Sequence, residues 1–178
     1  ESGARRGLPR PLPPHGAGGR LARAYPSTAL GPPERSTGIV SANIARSNTT
    51  RQKMAISKSA MSREAVTHYE VVESFGTPPQ ASLIRCVLET GRTHQIRVHM
   101  THIGHPLLGD RVYGQSFKAS LNNLSEAAQN GVKSLNRQAL HAAVLGFQHP
   151  RTGKAMSFQS PIPRDMAELL KALKRSSK

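Results

Sequence analysis

The sequence predicts an α+β fold around a mostly antiparallel β-sheet, and three features carry that expectation. Two pairs of β-rich segments are each joined by a turn containing Gly and Pro. Helical periodicity is confined to two short stretches. Strands therefore outnumber helices, which is the pattern of an α+β domain.

The first pair runs from Val66 to Phe75 (VTHYEVVESF), crosses Gly-Thr-Pro-Pro, and returns from Ser82 to Glu89. Both segments are rich in β-branched and aromatic residues, so they read as an antiparallel hairpin. Thr93 then stands where it can cap a helix from His94 to about Ile103, stopped by Gly104. On that helix Ile96, Met100 and Ile103 fall at i, i+4 and i+7 and form one apolar stripe. Arg97 lies about 100° round from Ile96 on ideal geometry. A guanidinium on that rim can reach into a cleft while its stem packs.

Residues 116–137 are polar and are expected to form a surface excursion. Leu140 to Phe147 and Ala155 to Gln159 flank the turn His149-Pro150-Arg151-Thr152-Gly153-Lys154 and make a second hairpin. The last element is a helix of about Asp165 to Lys174. Met166, Leu169, Leu170 and Leu173 give it a core face, and Asp165 favours its N-terminal end.

The chain changes character near Arg35. Seven of its 13 prolines precede that residue, which divides the sequence into a basic Pro/Gly/Arg-rich stretch, 1–35, and a folded part, 36–178. Taken alone, residues 1–35 read as a disordered arm. The chain opens on Glu1 rather than Met, which suggests a fragment or a processed product.

A formal net charge of +15, from 25 Lys+Arg against 10 Asp+Glu, points to a polyanionic partner. Basic side chains bind phosphates and release the counterions condensed on them. No apolar run is long enough to span a bilayer, and no signal peptide is visible. Cys86 is the one cysteine, so no internal disulfide can form, and its apolar surroundings read as a buried structural thiol. The expectation is a cytoplasmic monomer that faces nucleic acid and uses no cofactor.

Four histidines, His94, His99, His102 and His105, invite a metal reading. Their spacing lacks the i, i+4 pair of a zinc helix and no cysteine lies near, so they read as polar or as facing the nucleic acid. Gly153-Lys154 is followed by Ala155, not by the Ser or Thr of a phosphate loop. No Gly-x-Ser-x-Gly elbow occurs.

The most informative stretch is Leu88-Glu89-Thr90-Gly91-Arg92-Thr93-His94-Gln95-Ile96-Arg97-Val98-His99, continued by Gly104-His105-Pro106-Leu107-Leu108-Gly109-Asp110 and Tyr113-Gly114. Physically it is a strand, a glycine turn and a helix start flanked by cations, an arrangement suited to phosphate. It resembles the signature of the RluA family of RNA pseudouridine synthases. Arg51-Gln52-Lys53-Met54, Ala65-Val66-Thr67-His68-Tyr69, Leu140-His141-Ala142, Phe147-Gln148-His149-Pro150 and Ser160-Pro161-Ile162-Pro163-Arg164-Asp165-Met166 extend the resemblance over about residues 36–175.

The resemblance implies isomerisation of uridine in structured RNA, by analogy large-subunit ribosomal RNA, without cofactor or metal. The family relies on an aspartate in a His-Arg-Leu-Asp-x-x-Thr-Ser-Gly type segment, a carboxylate that can attack and then leave. An arginine pairs with it and keeps it ionised. By position Arg97 resembles that arginine, and Arg92, Thr93, His94 and Gln95 would line the RNA side of the cleft. Arg20-Leu21-Ala22-Arg23-Ala24-Tyr25 resembles a further family segment, in which Tyr25 would stack on the target base and is a candidate general base. Pro26 and the weakly apolar Ser27-Thr28-Ala29 depart from the buried strand expected there.

The larger departure concerns the aspartate. The chain has two, Asp110 and Asp165, and neither stands in a His-Arg-Leu-Asp context. The expectation is a C-terminal part of the catalytic domain that begins just after the missing aspartate and is inactive as it stands. The rival from another class is a non-catalytic RNA-binding protein using the same basic face, and a third reading is a basic structural protein. Specific binding that persists at raised ionic strength separates the third from the others. Restored turnover on adding the upstream segment separates the first two.

Overall fold

The computed structural model describes residues 22–50 and 52–175. Six strands form one sheet in the order β2-β5-β6-β1-β7-β8, with every neighbouring pair antiparallel. They are β1 (Ala22–Leu30), β2 (Thr37–Ser41), β5 (Val66–Phe75), β6 (Ala81–Leu88), β7 (Val144–Gln148) and β8 (Ala155–Gln159). Between β2 and β5, β3 (Ile44–Arg46) and β4 (Met54–Ile56) pair as a separate ribbon. The helices are α1 (Gln95–His102), α2 (Lys118–Leu121), α3 (Glu126–Leu135) and α4 (Arg164–Arg175). The α+β architecture and both hairpins expected from the sequence are present.

Residues 22–35 correct the reading of a disordered arm, while residues 1–21 lie outside the described residues. β1 sits inside the sheet, and Ser27, Thr28, Ala29 and Leu30 are buried. The low apolarity that argued against a strand is offset by complete pairing. β6 runs along one side of β1 in continuous register from Ala24–Val87 to Leu30–Ala81. The other side is closed in three pieces: β7 at Ala22–Ala24, then 139–141, then 106–108. Pro26 is tolerated because its missing N–H points to that second side, just where β7 has ended. Its carbonyl still accepts from the His141 amide at 3.1 Å.

Strand periodicity divides the core. Ile84 and Cys86 of β6 face one way and pack with Ala29, Ile96, Met100 and Leu107. Ala81 and Leu83 face the other way and pack with Leu30, Leu108, Met166 and Leu169. α1 thus covers one face of the sheet, and α3 with α4 covers the other. Burial pushes the Cys86 thiol up to about 12, so it is a packing group and no nucleophile.

The segment 116–137 is corrected from a surface excursion to part of the larger core. α3 buries Ala128 and Leu135, and Leu124 before it is also buried. Ser125 caps α3 by accepting from the Ala128 amide at 3.3 Å. The C-terminal helix buries Met166, Leu169, Leu170 and Leu173 as its periodicity requires, each worth roughly 1.5–3 kcal/mol.

Candidate active site

The turn from β6 into α1 is held by one side chain. Gln95 is 2% exposed and all four of its hydrogen-bonding positions are filled. Its Oε1 accepts from Thr90 Oγ1 at 2.8 Å and from the Arg92 amide at 3.0 Å. Its Nε2 donates to the Val66 carbonyl at 2.9 Å and to Thr67 Oγ1 at 3.1 Å. The Val66 amide donates to Thr90 Oγ1 at 2.9 Å and closes the loop. A buried amide is stable only when satisfied in this way, and this one ties the start of β5 to the start of α1.

His99, one turn further on, extends the network. Its Nε2 lies 2.9 Å from the Ala42 carbonyl, which can only accept, so Nε2 carries the proton. Its Nδ1 therefore accepts from the Thr67 hydroxyl at 2.9 Å. Burial lowers the His99 pKa below the usual histidine value, against the pull of the Ala42 carbonyl, and the ring is neutral. Of the two readings of this histidine, polar or RNA-facing, the first holds and the second is corrected, because the ring is fully buried in a hydrogen-bond network.

Arg97 is buried beside this network and is clasped by Asp110. Nε donates to Oδ2 at 2.7 Å and Nη2 to Oδ1 at 2.8 Å, a two-point fork. Asp110 Oδ1 also accepts from the Val112 and Tyr113 amides at 2.9 and 3.1 Å. Burial pushes the Asp110 carboxyl up, but the Arg97 fork and the two amides outweigh it and hold it below the usual carboxylate range. The same fork raises the Arg97 pKa further. Nη1 of Arg97 has no hydrogen-bond partner among the described residues.

Tyr113 packs over this pair, with Arg97 Cζ 4.8 Å from its ring centroid. Its hydroxyl accepts from the Met54 amide at 2.9 Å, which leaves its proton for His94 Nδ1, also at 2.9 Å. Burial, and then the Arg97 charge, lower the His94 pKa, so a neutral acceptor nitrogen suits that bond. The β3–β4 ribbon is thereby anchored to α1. Gly109 makes the clasp possible: its φ is +74°, and a Cβ there would come within 2.2 Å of the Arg137 carbonyl oxygen.

The structure sorts the expected site residues into two groups. Arg97, His94 and Gln95 are drawn inward. Gln95 is corrected from an RNA-lining residue to a scaffold, because its amide has no free position. Thr93 is exposed and caps nothing; the N-cap of α1 is His94, at φ 57°, without a side-chain cap bond. Arg92 stays on the outside of the turn, where its Nε donates to the Glu64 carbonyl at 3.0 Å. Tyr25 is half-buried on β1 opposite Cys86 and packs against the Ile96–Met100 cluster, on the face that α1 covers.

Sequence reasoning quoted Arg23, Asp110 and Tyr113 within its motifs but gave none of them a duty at the site. Arg23 lies across the glycine turn: a Cβ on Gly91 would meet its Nη1 at 2.6 Å, so Arg23 and Arg92 flank the same turn. The signal for the clasp was present in the Gly-Asp-x-x-Tyr-Gly spacing, but which cation its carboxylate meets is a tertiary fact. The other aspartate, Asp165, is likewise engaged, with Arg137 Nε and Nη2 at 2.8 and 2.9 Å. Among the described residues no group of three His, Cys, Asp or Glu could hold a metal ion, and no helix is long and apolar enough to cross a membrane.

The sequence and the fold have counterparts among known proteins. The family described as RNA pseudouridylate synthase matches residues 21–102. Ribosomal large subunit pseudouridine synthase D of Zymomonas mobilis is 51% identical over 142 residues, which cover 79% of this chain and 42% of that protein. An uncharacterized RNA pseudouridine synthase of Bacillus subtilis is 41% identical over 156 residues, covering 88% of this chain and 45% of that one. The chain thus spans less than half the length of these curated relatives. Human RNA Pseudouridylate Synthase Domain Containing 4 shares the fold, with a TM-score of 0.65 at 24% identity over 86% of this chain and 62% of its own. The motif, the sheet that presents it and these relatives lead to one conclusion: the chain belongs to the RluA family of RNA pseudouridine synthases.

Proposed function

We propose that this chain carries the arginine-bearing part of an RNA pseudouridine synthase that isomerises uridine in large-subunit ribosomal RNA. Arg97 orients the catalytic aspartate, Tyr25 stacks on the target base, and Arg92 holds phosphate with Arg23 beside it. Thr93, exposed on the same turn, and His94, behind it, border the RNA. Flipping an unstacked uridine toward such a cleft suits single-stranded loops, where unpairing costs least. The reaction moves the base–sugar bond from nitrogen to carbon and calls for no cofactor or metal. A cytoplasmic location and a monomeric state complete the proposal.

The observation that carries the reading is the state of Arg97. One edge of its guanidinium is fixed by Asp110, and Nη1 is left to orient a second carboxylate. Neither aspartate of this chain is that second carboxylate, because Asp110 is the clasp itself and Asp165 serves Arg137. The chain as it stands therefore binds RNA without turning it over. The test is release of base-ring tritium from labelled ribosomal RNA, with binding measured in parallel. Binding without release is expected. Multiple-turnover release would overturn the reading and make Asp110 the first carboxylate to substitute.

A further inference from the structure

Away from Arg97's own contacts, the loop that supplies Asp110 walls a cavity of about 340 Å³. Its floor is apolar, with Leu108, Phe117, Leu121 and Val132, and its rim carries Arg111, Lys118 and Lys133. The one acidic residue in the lining, Asp110, has its side chain 1% exposed and its charge met by Arg97. The mouth is accordingly positive above an uncharged floor. Ligand pockets run from roughly 300 to 1,000 Å³, so this one suits a single flat group rather than a helix or a strand.

We propose that this cavity is a second RNA subsite, which takes one unstacked nucleobase on the Phe117 floor while Lys118 and Lys133 hold the phosphates on either side of it. Aromatic floors accept any base, because every base has a π-face, and paired lysines fix the backbone without reading sequence. The ligand is a nucleotide of the same RNA that carries the target uridine, so the inference rests on the RNA-modifying reading above. Residues 109–111 link the two places. They form one wall of the cavity, and from them Asp110 reaches Arg97. The alternative occupant with the same chemistry, an apolar chain bearing a carboxylate, becomes an outcome of the test.

The experiment uses the full chain and a fluorescent single-stranded oligoribonucleotide of ten uridines, titrated by anisotropy over a range of salt. The double variant Lys118→Glu/Lys133→Glu is expected to weaken binding at least tenfold. Loss of two phosphate contacts should also make the slope of log K against log salt shallower by roughly 1.4. Leu121→Trp fills the cavity without changing charge, so it should weaken binding and leave the slope alone. Lys171→Glu, on the exposed side of α4, is the charge control. Thermal unfolding of each variant shows that it is folded. If the rim variants weaken binding no more per charge than Lys171→Glu, or if Leu121→Trp binds as the parent does, the subsite is wrong while the RNA reading stands. If the parent chain binds no oligoribonucleotide, both fall. Displacement of a fluorescent fatty acid from the cavity, with no competition by RNA, would also overturn the proposal.

Discussion

Removing Asp110 should leave Arg97 buried without a counter-charge, and the size of the loss can be set from the structure. Asp110→Ala deletes the two fork bonds and the two bonds from the Val112 and Tyr113 amides. It strands a guanidinium whose side chain is 10% exposed. Breaking one partner of a buried pair costs about 3–5 kcal/mol. Against a total stability of roughly 5–15 kcal/mol, that is a large share. With a urea slope of about 2 kcal/mol per molar, a loss of about 4 kcal/mol moves the midpoint down by about 2 M. The chain has no tryptophan, so far-UV circular dichroism is the signal. Asp110→Asn keeps an oxygen for the two amides and should cost less. The double variant Arg97→Met/Asp110→Leu removes both charges and should regain most of the loss, because a matched apolar pair is often as stable as the ions it replaces. A loss below about 1 kcal/mol for Asp110→Ala, or strict additivity of the two sites, would refute the clasp. It would also return Asp110 to the list of catalytic candidates.

Three further outcomes follow from the same structure. Thr28 is fully buried and its hydroxyl has no partner among the described residues, so Thr28→Val should raise the urea midpoint by the equivalent of about 1 kcal/mol. Gln95→Leu leaves the Arg92 amide without its acceptor and removes one of the two donors on the Val66 carbonyl, which keeps the Glu89 amide at 3.2 Å; it should cost roughly 1–3 kcal/mol, with faster amide exchange at the start of α1 as its local signature. The folded pKa of His99 is lowered, so below the unfolded value of about 6.5 the unfolded chain binds the proton that the folded chain refuses. Stability is thus full above that pH and falls as pH drops toward the lowered folded value. Urea midpoints between pH 7 and 5 should show the fall, and a His99→Gln variant with an unchanged slope would contradict the assignment.

Hairpins, helices and the signature segment were legible because their causes are local. β-branched runs, a Gly-Pro turn and a 3.6-residue stripe act over neighbours in the chain, and β5, β6, α1 and α4 form close to where those patterns lie. The family, too, was readable from residues 88–114 and their neighbours. The fate of residues 22–35 was not legible in the same way. Pro26 and Ser27 oppose a strand on propensity alone, and only β6 on one side with three separate segments on the other makes β1 the better state. The helices of 116–137 were missed for a related reason: their buried residues are few and pay off only against α4 and the far face of the sheet.

At the site the division is sharper. The sequence by itself determined which functional groups are present: two arginines in the motif, two aspartates and a charge suited to RNA. Tertiary structure decided their duties. Gln95 turned from a surface contact into a saturated strut, His99 into a neutral buried link, and Asp110 from a spare carboxylate into the clasp on Arg97. Each change has one physical cause. A buried polar group must find its partners inside the protein, and one deciding partner of each, the Val66 carbonyl for Gln95, Arg97 for Asp110 and the Ala42 carbonyl for His99, lies 13 to 57 residues away in the chain, a separation that no local pattern records.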